Sequence, residues 1–430
     1  MTYFETINYI KNTAKFGTNL GLERTNKILE LLGNPHKQIK CIHIAGTNGK
    51  GSTTVMISNI LIEEGYRVGM YISPYIEVFE ERIQLNGNNI PKDDLCNVVE
   101  EVSKAVDEVV SLGYSHPTEF EIITCAMFLY FCKHNVDYAV IEVGMGGRLD
   151  STNVITPILS IITSISYDHM QILGDTLSKI AYEKAGIIKK NIPVVLYPQE
   201  EDSYKVIKDA AHERNSKLIE VQKNSVTLKS IDDNCFQHIC VNTAKEKYEI
   251  KLSLLGSHQL LNCAAAIYAV EELITQGIRI QKSSILRALE NVKWPGRLEV
   301  MQKKPLVVID GAHNIDGIKM LSKSIDTYFK YQKLILILGI LADKQVDNMA
   351  KIIAAKADKI ITITPHNARA ESADELLKVV SRYNRNCEAV NDYEEAYDKA
   401  LGYSEENDMV LISGSLSTIG EMKKIIRNYR

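Results

Sequence analysis

The hydrophobic residues of this chain follow two spacings. Short continuous apolar runs at 41–45, 137–143 and 158–165 predict buried strands. Longer stretches such as 92–112 and 259–276 repeat apolar residues every three or four positions, which predicts helices. The two kinds of run follow one another along the chain. This order predicts an α/β protein with a mostly parallel, doubly wound sheet.

A change of pattern divides the chain into two predicted domains. Between about 217 and 255 the apolar residues alternate over short segments, which predicts a small accessory β region. Two helices follow, and then Pro295-Gly296 interrupts regular structure. Strand–helix alternation begins again beyond this point. We therefore predict a first domain over 1–294, with the doubly wound sheet and the β region, and a Rossmann-like α/β domain over 295–430.

The first apolar run leads into a glycine-rich turn, Gly46-Thr-Asn-Gly-Lys-Gly-Ser52, and then into a helix. Backbone N–H groups at such glycines, the positive end of the helix and the charge of Lys50 together favour binding of a polyphosphate. The turn departs from the GxxxxGK[ST] pattern, because Gly51 separates Lys50 from the first hydroxyl. An ordinary turn of small residues is the alternative. A lysine and three hydroxyls at a helix start favour a nucleotide site of the P-loop type.

Three further polar residues follow predicted strands at their carboxyl ends, where ligands gather in such sheets. They are Ser73, Glu142 and His169. Each has a simpler explanation, namely a residue that ends a strand, a structural ion pair and a loop histidine. Because all three are expected beside the glycine loop, they predict a divalent cation site next to the nucleotide.

Lys184 lies in the middle of the apolar face of a helix predicted over 176–189. The apolar residues of that face are Leu177, Ile180, Ala181, Ile187 and Ile188. A lysine in this position usually extends its ammonium group to the rim of the helix. If it were buried instead, its pKa would fall by up to about 3–5. The neutral amine could then act as a nucleophile or react with carbon dioxide to form a carbamate.

The predicted second domain offers two turns with polar side chains. Asp310 ends an apolar strand and His313 begins the next loop, and the last strand ends in a serine-rich turn over 413–417. Turn-forming preference alone would explain both. Two α/β domains with sites that face each other predict a ligand in the cleft between them.

Composition narrows the class of protein. The net charge of −4 provides no basic field, which argues against a nucleic-acid partner. No window reaches the roughly 18 apolar residues of a membrane span, and the N-terminus lacks the features of a secretory signal. The eight cysteines are scattered, several within apolar runs, which is typical of reduced thiols. We therefore expect a cytoplasmic protein without a membrane partner.

Several motifs, in order along the chain, resemble those of one family. They are GTNGKGS (46–52), EVGMGGRLDSTNV (142–154), EKAGIIK (183–189), WPGRLE (294–299) and DGAHN (310–314). The chain resembles folylpolyglutamate synthase and dihydrofolate synthase, members of the Mur ligase superfamily of ATP-dependent amide-forming ligases. The resemblance implies a P-loop ATPase-type first domain and a C-terminal glutamate-ligase domain.

The resemblance also implies roles for particular residues. Those that would bind ATP are Asn48, Gly49, Lys50, Gly51, Ser52, Asn262, Arg297 and Asp310. Those that would bind two magnesium ions are Ser73, Glu142, His169 and Lys184, the last as a carbamate. Those that would hold the pterin are Thr18, Asn19, Leu20, Thr118 and Phe120, and those that would hold glutamate are His313 and Ser415. The residues nearest the reaction would be Lys50, Lys184, His169 and His313.

The implied reaction joins L-glutamate to the carboxylate of dihydropteroate or tetrahydrofolate through an acyl phosphate. The segment Leu20–Arg24 resembles that of members with both activities, but Asn19 departs from the aspartate that several of them carry. We expect a monomeric enzyme with both activities. Three alternatives stay open: polyglutamylation alone, another amide ligase of the superfamily that acts on a peptidoglycan nucleotide, and a non-catalytic nucleotide-binding switch.

Overall fold

The structure is a computed structural model that describes residues 1–17 and 20–429, without the side chain of Ala14. Over these residues the strands form sheets of eight, three and six strands. The strands of the first sheet are β1 (Lys40–Ala45), β2 (Val68–Tyr71), β3 (Ile83–Leu85), β4 (Asn88–Asn89), β5 (Tyr138–Glu142), β6 (Leu159–Ile162), β7 (Val194–Leu196) and β8 (Leu218–Glu220).

The order in the first sheet is β4-β3-β2-β5-β1-β6-β7-β8, parallel from β2 to β8 with an antiparallel edge at β3 and β4. Its central strands are buried along almost their whole length, as their continuous apolar runs predict. Ile44 of β1 pairs with Glu142 of β5, and Ala45 pairs with Ile162 of β6. The carboxyl ends of the three strands therefore lie at one edge.

Helices cover both faces of this sheet. They are α1 (Tyr3–Asn12), α2 (Glu23–Leu31), α3 (Lys50–Glu63), α4 (Lys92–Ser111), α5 (Glu119–Lys133), α6 (Met170–Leu173), α7 (Leu177–Ala185), α8 (Glu201–Glu213), α9 (Ser257–Thr275) and α10 (Lys282–Asn291). One core packs α3, α9 and α10 against the sheet, and a core on the opposite face contains α1, α2, α4 and α5. Short 3₁₀ helices cover Thr13–Phe16, Pro35–Gln38, Phe79–Arg82, Ser151–Val154 and Lys223–Ser225.

The predicted accessory β region is an antiparallel sheet of β9 (Val226–Ile231), β10 (Gln237–Asn242) and β11 (Lys247–Leu252). Its apolar face packs on α9 within the same core as α3. The segment 218–220, which the sequence grouped with this region, instead extends the first sheet as its parallel edge strand β8.

A third sheet forms the second α/β unit. Its strands are β12 (Glu299–Lys303), β13 (Leu306–Ile309), β14 (Leu334–Leu338), β15 (Lys359–Thr362), β16 (Cys387–Ala389) and β17 (Met409–Ser413), in the order β12-β13-β17-β14-β15-β16. Its helices are α11 (Ile315–Tyr328), α12 (Val346–Ala354), α13 (Ala373–Val380), α14 (Tyr393–Tyr403) and α15 (Leu416–Asn428). The two-unit α/β architecture is confirmed, and the boundary near 295 stays a prediction.

Two local features of the structure differ from what the sequence predicted. The helix predicted over 176–189 ends at Ala185, because Gly186 packs directly against the backbone of Arg148 and the chain turns there. The β3–β4 hairpin was not predicted, because its strands are short and contain Gln84 and two asparagines instead of an apolar run. Within the described part of the chain, no helix is both long and apolar enough to cross a membrane.

Candidate active site

The glycine-rich turn joins β1 to α3 at the carboxyl edge of the first sheet. Gly49, which precedes the helix, has φ +88°, a left-handed conformation that glycine adopts without strain. Lys50 Nζ donates hydrogen bonds to Gly46 O (3.2 Å) and Thr47 O (3.3 Å) and lies 3.9 Å from Glu142 Oε1. The lysine charge therefore lies over the loop, beside a buried carboxylate.

Helix α9 forms one wall of this loop. Gln259 Nε2 donates to Ser52 Oγ (3.1 Å), and Asn262 Nδ2 donates to Gln259 Oε1 (3.0 Å). A Cβ atom on Gly49 would lie 2.5 Å from Asn262 Oδ1. The structure therefore brings Asn262 to the loop, and its implied role in ATP binding stays a prediction.

Trp294 packs against the loop from the connection between the two α/β units. A Cβ atom on Gly51 would lie 2.7 Å from Trp294 Cζ2, so a larger residue at position 51 would displace the ring. The ring therefore leaves no room for a side chain at position 51, where the loop departs from the P-loop pattern. In the sequence Trp294 stood out only as part of the motif WPGRLE (294–299), and no local signal pointed to its contact with Gly51.

Asp310 is buried at the carboxyl end of β13. Its carboxylate accepts hydrogen bonds from Leu298 N and Ala312 N, both at 2.9 Å. Burial raises the pKa of Asp310, although the Arg297 charge opposes this effect. Burial raises the pKa of Glu142 as well, and the nearby Arg297 charge is one of the groups that oppose this rise. Arg297 therefore lies near both Asp310 and Glu142, and its implied role in ATP binding stays a prediction.

Glu142 is the last residue of β5 and is buried at the loop. Its Oε2 accepts a hydrogen bond from Ser73 N at 3.3 Å, so the two predicted metal ligands lie together. Burial raises the pKa of Glu142, and the Lys50 charge opposes the rise. The alternative to a metal ligand, a structural ion pair, is also compatible with the structure. Lys50 Nζ lies 3.9 Å from Glu142 Oε1.

Lys184 is buried, with only 3% of its surface exposed, so it does not extend to the helix rim. Its Nζ donates to Gly46 O at 2.8 Å, the carbonyl that also accepts from Lys50. Burial and then the charge of Lys50 lower the pKa of Lys184 to about 7. Asp168 and Asp150 oppose that decrease. Two lysine nitrogens thus converge on one carbonyl, and an anion placed there would be stabilised.

His169 lies at the edge of this cluster, in a left-handed conformation with φ +49°. Burial lowers the pKa of His169, and the charge of Asp168 opposes this decrease only in part. Asp168 Oδ1 accepts a hydrogen bond from Lys344 Nζ at 2.6 Å in an ion pair that is largely shielded from solvent. Burial raises the pKa of Asp168, but the positive charge of Lys344 outweighs it and the pKa is lowered.

Residues of the second unit contact the glycine-rich turn directly. Asn314 Nδ2 donates to Asn48 Oδ1 at 3.0 Å, and its Oδ1 accepts from Gly317 N as the cap of α11. Lys344, which follows β14, likewise connects the second unit to the first through its ion pair with Asp168. The sequence analysis gave no role to Lys344. Its position after a strand, at the carboxyl edge of the sheet, was the signal that could have found it.

The predicted pterin residues fall into two groups. Thr18 and Asn19 lie outside the described residues, and Leu20 is 41% exposed. Thr118 caps α5, and its hydroxyl donates to Glu121 Oε2 at 2.9 Å. Phe120 is half-buried, against Gly144, with its ring centroid 6.0 Å from that of Tyr71. An aromatic surface is therefore available near the carboxyl ends of β2 and β5.

The predicted glutamate residues lie in the second unit. His313 Nδ1 is 2.8 Å from Gly311 O, so that nitrogen carries the proton and donates. Burial lowers the pKa of His313 to about 4, against the effect of this hydrogen bond, and the ring is neutral at pH 7. Ser415 Oγ caps α15 by accepting from Thr418 N at 3.2 Å. The buried Ser413 hydroxyl has no hydrogen-bond partner among the described residues.

Two family models match the chain. The Mur ligase middle domain matches residues 44–270, and the Mur ligase, glutamate ligase domain matches residues 296–416. A dihydrofolate synthase/folylpolyglutamate synthase of Bacillus subtilis (strain 168) is 36% identical over 442 residues, which cover 99% of each protein. The chain belongs to this family of Mur ligases. The resemblance drawn from its motifs is confirmed.

Other members of the family agree. A folylpolyglutamate synthase of Lacticaseibacillus casei is 36% identical over 374 residues, covering 86% of this chain and 87% of the relative. The solved structure of E. coli FolC in complex with DHPP and ADP has a TM-score of 0.89 and 26% identity, and the match covers 100% of this chain and 99% of FolC. As a member of this family, the chain described here is an ATP-dependent ligase that adds glutamate to folates.

Proposed function

We propose that this chain joins L-glutamate to the carboxylate of dihydropteroate and of tetrahydrofolate, each through an acyl phosphate. The observation that carries the proposal is the convergence of Lys50 and Lys184 on Gly46 O, beside the buried Glu142. The name of the Bacillus subtilis relative supports both activities. The name of the Lacticaseibacillus casei relative supports the alternative of polyglutamylation alone.

ATP is the proposed nucleotide, and its phosphates lie on the loop from Asn48 to Ser52. The ADP complex of E. coli FolC supports this assignment. Asn262 is connected to the loop by hydrogen bonds through Gln259 to Ser52. Trp294 packs against the loop at Gly51. We assign Arg297 and Asp310 to the rest of the nucleotide, because they lie where the chain passes into the second unit.

Magnesium is the proposed metal, at two sites, and the residues fit it in part. No three His, Cys, Asp or Glu side chains are grouped as a metal site in residues 1–17 and 20–429. Glu142 with Ser73 suits a magnesium ion that takes its remaining oxygens from water and phosphate. The second site would use His169 and Lys184. Magnesium prefers oxygen ligands, so an unmodified Lys184 amine does not complete this site.

Carbamylation would make Lys184 a suitable ligand. Its pKa of about 7 leaves a large fraction of the amine neutral at physiological pH. The nitrogen forms a bond to the carbon of carbon dioxide and releases a proton to solvent, which leaves an anionic carbamate. Lys50 lies close to this anion, because both lysines contact Gly46 O. Magnesium supplies charge stabilisation for phosphoryl transfer when bound.

The residues of the chain then divide the reaction between them. The substrate carboxylate attacks the γ-phosphate in line, and Lys50 stabilises the charge that develops on the transferred oxygens. The glutamate amine attacks the acyl phosphate and phosphate leaves as the amide forms. His313, neutral at pH 7, and Ser415 are assigned to the glutamate side. Asn314 and Lys344 hold the second unit against the loop, which excludes water from the hydrolysable intermediate.

The pterin is assigned to the segment 18–20 and to Phe120, whose half-buried ring suits a flat heterocycle. The hydroxyl of Thr118 already donates to Glu121, so we assign Thr118 to shaping this pocket. We also propose that the enzyme is a cytoplasmic monomer. Its cysteines are all free thiols, which supports a reducing compartment.

ATP-dependent incorporation of labelled L-glutamate into dihydropteroate and into tetrahydrofolate, measured side by side, tests the proposal. We expect incorporation with both. Incorporation with tetrahydrofolate alone would restrict the function to polyglutamylation. Incorporation with neither, but into a peptidoglycan nucleotide, would place the chain in another branch of the superfamily. Nucleotide binding without product would indicate the non-catalytic switch.

A further inference from the structure

Three segments that are far apart in sequence meet on one face of helix α15. The first is the Ser73 loop, residues 73–78, which follows β2. The second is the connection at Gly296, and the third is α15 itself. Ile76 packs against both Gly420 of α15 and Gly296. The loop that contains a proposed magnesium ligand is therefore in contact with the second α/β unit.

Lys423 lies at the centre of this junction and is buried, with 2% of its surface exposed. Its Nζ donates to Glu299 Oε2 at 2.9 Å and lies 3.5 Å from Glu77 Oε1. Glu299 Oε2 also accepts a hydrogen bond from Gly296 N at 2.8 Å. One buried ammonium group thus connects the Ser73 loop to the connection between the units.

The charges at the junction are balanced. Arg427, one turn further along α15, donates from Nη1 to Glu77 Oε2 at 2.7 Å. Two cations, Lys423 and Arg427, therefore face two carboxylates, Glu77 and Glu299. Buried ion pairs add little net stability over apolar packing, because desolvation of the charges offsets their attraction. Their fixed geometry can instead specify one arrangement of the segments that they join.

Gly420 shows how closely the loop approaches the helix. A Cβ atom at this position would overlap the carbonyl oxygen of Ile76, which is backbone and cannot rotate away. Glycine inside a helix costs about 1 kcal/mol relative to alanine, so this position sacrifices helix stability for the contact. The loop itself is ordered by Glu81, whose carboxylate accepts from the backbone N–H groups of Ile76, Glu77 and Val78 at 2.8, 3.0 and 2.9 Å.

We propose that Lys423 is a positioning residue that holds the Ser73 loop in the arrangement required for magnesium binding. The ammonium group fixes Glu77 relative to Glu299 and thereby ties the loop to the second α/β unit. Its effect reaches the metal through the three residues between Ser73 and Glu77. The inference rests on the proposed role of Ser73 as a magnesium ligand, and no direct contact of Lys423 with substrate or metal is required.

The test compares Lys423→Met with Lys424→Met. Lys424 is the neighbouring lysine, exposed and paired with Glu421 in its own helix, and so provides a matched control. Hydrogen exchange of the backbone amides of residues 76–78 in the metal-free protein measures how often the Ser73 loop opens locally. We expect exchange about tenfold faster in Lys423→Met and unchanged in Lys424→Met. The Mg²⁺ concentration for half-maximal activity should rise several-fold in the first variant only, with the KM for L-glutamate unchanged.

Lys423→Arg provides a second readout, because guanidinium keeps the charge and can reach both carboxylates. It should restore the Mg²⁺ requirement largely to that of the unaltered enzyme. If Lys423→Met does not fold, Glu77→Gln removes one partner at a less buried position and should give the same two changes. Unchanged exchange in a folded variant, or faster exchange with an unchanged Mg²⁺ requirement, would overturn the proposal. An unaltered enzyme without ligase activity would refute the proposed function, while the exchange comparison would still test the junction.

Discussion

Replacing Lys184 by methionine should stabilise the protein while removing its activity. The protein buries this amine almost completely and lowers its pKa from 10.5 to about 7. Below pH 7 the native state must therefore hold a charged ammonium group in a site that disfavours it. Methionine has a similar length and no charge, so it avoids this cost. Gly46 O keeps a hydrogen bond in the variant, because Lys50 also donates to it.

The magnitude follows from the pKa difference. A decrease from 10.5 to about 7 corresponds to roughly 5 kcal/mol of destabilisation when both the native and unfolded states are protonated. The unfolded state binds more protons than the native state between these two pH values, so native stability rises with pH there. The advantage of the methionine variant should therefore shrink by about 1.4 kcal/mol for each pH unit between 7 and 10.5. Relaxation of the site makes the full value an upper bound.

Urea unfolding of the two proteins at pH 7.0 and 9.5, in buffer free of magnesium and carbon dioxide, measures this difference. Lys179→Met, on the same helix but exposed and paired with Asp175, is the control and should change stability by no more than about 0.5 kcal/mol at either pH. A methionine variant that is less stable than the unaltered protein at pH 7, or a difference that does not vary with pH, would refute the reasoning. Full ligase activity in Lys184→Met would refute its proposed metal role.

Two further predictions concern the loop and the pterin pocket. Lys50→Ala should lower kcat by about 10²–10³-fold with little change in the KM for ATP, because backbone N–H groups still hold the nucleotide; steady-state kinetics that show a raised KM and an unchanged kcat would contradict the assignment. Phe120→Ala should raise the KM for dihydropteroate by about tenfold through loss of its aromatic surface, with the KM for ATP unaltered. Parallel changes in both KM values would instead indicate a structural role for Phe120.

Local sequence patterns were sufficient to predict the secondary structure of the parts of the site that lie within one strand–turn–helix unit. The apolar run, the glycines and Lys50 predicted β1, the phosphate loop and α3, because each step depends on neighbouring residues. Lys184 was predicted to lie on an apolar face, and the structure adds that it is buried and bonded to Gly46 O. Helix periodicity can show which face is apolar, but only tertiary packing determines whether a lysine on it escapes to solvent.

Contacts between distant segments could not be read from the sequence. Trp294 packs against Gly51 and leaves no room there for a side chain, and Lys344 forms an ion pair with Asp168. Both contacts join residues more than 170 positions apart. The resemblance implied that Thr118 helps to hold the pterin. In the structure that hydroxyl forms a capping interaction with Glu121, a role that local sequence equally permits. Residue type alone cannot decide between such uses.

Transfer of ¹⁸O from the substrate to phosphate tests the central claim most directly. Tetrahydrofolate with ¹⁸O in its reactive carboxylate would be incubated with ATP, Mg²⁺ and L-glutamate, and the phosphate released would be analysed by mass spectrometry. An acyl phosphate requires that a carboxylate oxygen remains on phosphorus when the amide forms. We predict one ¹⁸O atom in each phosphate, formed at a rate equal to that of the glutamylated product. Phosphate free of ¹⁸O, with its new oxygen taken from water, would contradict the account.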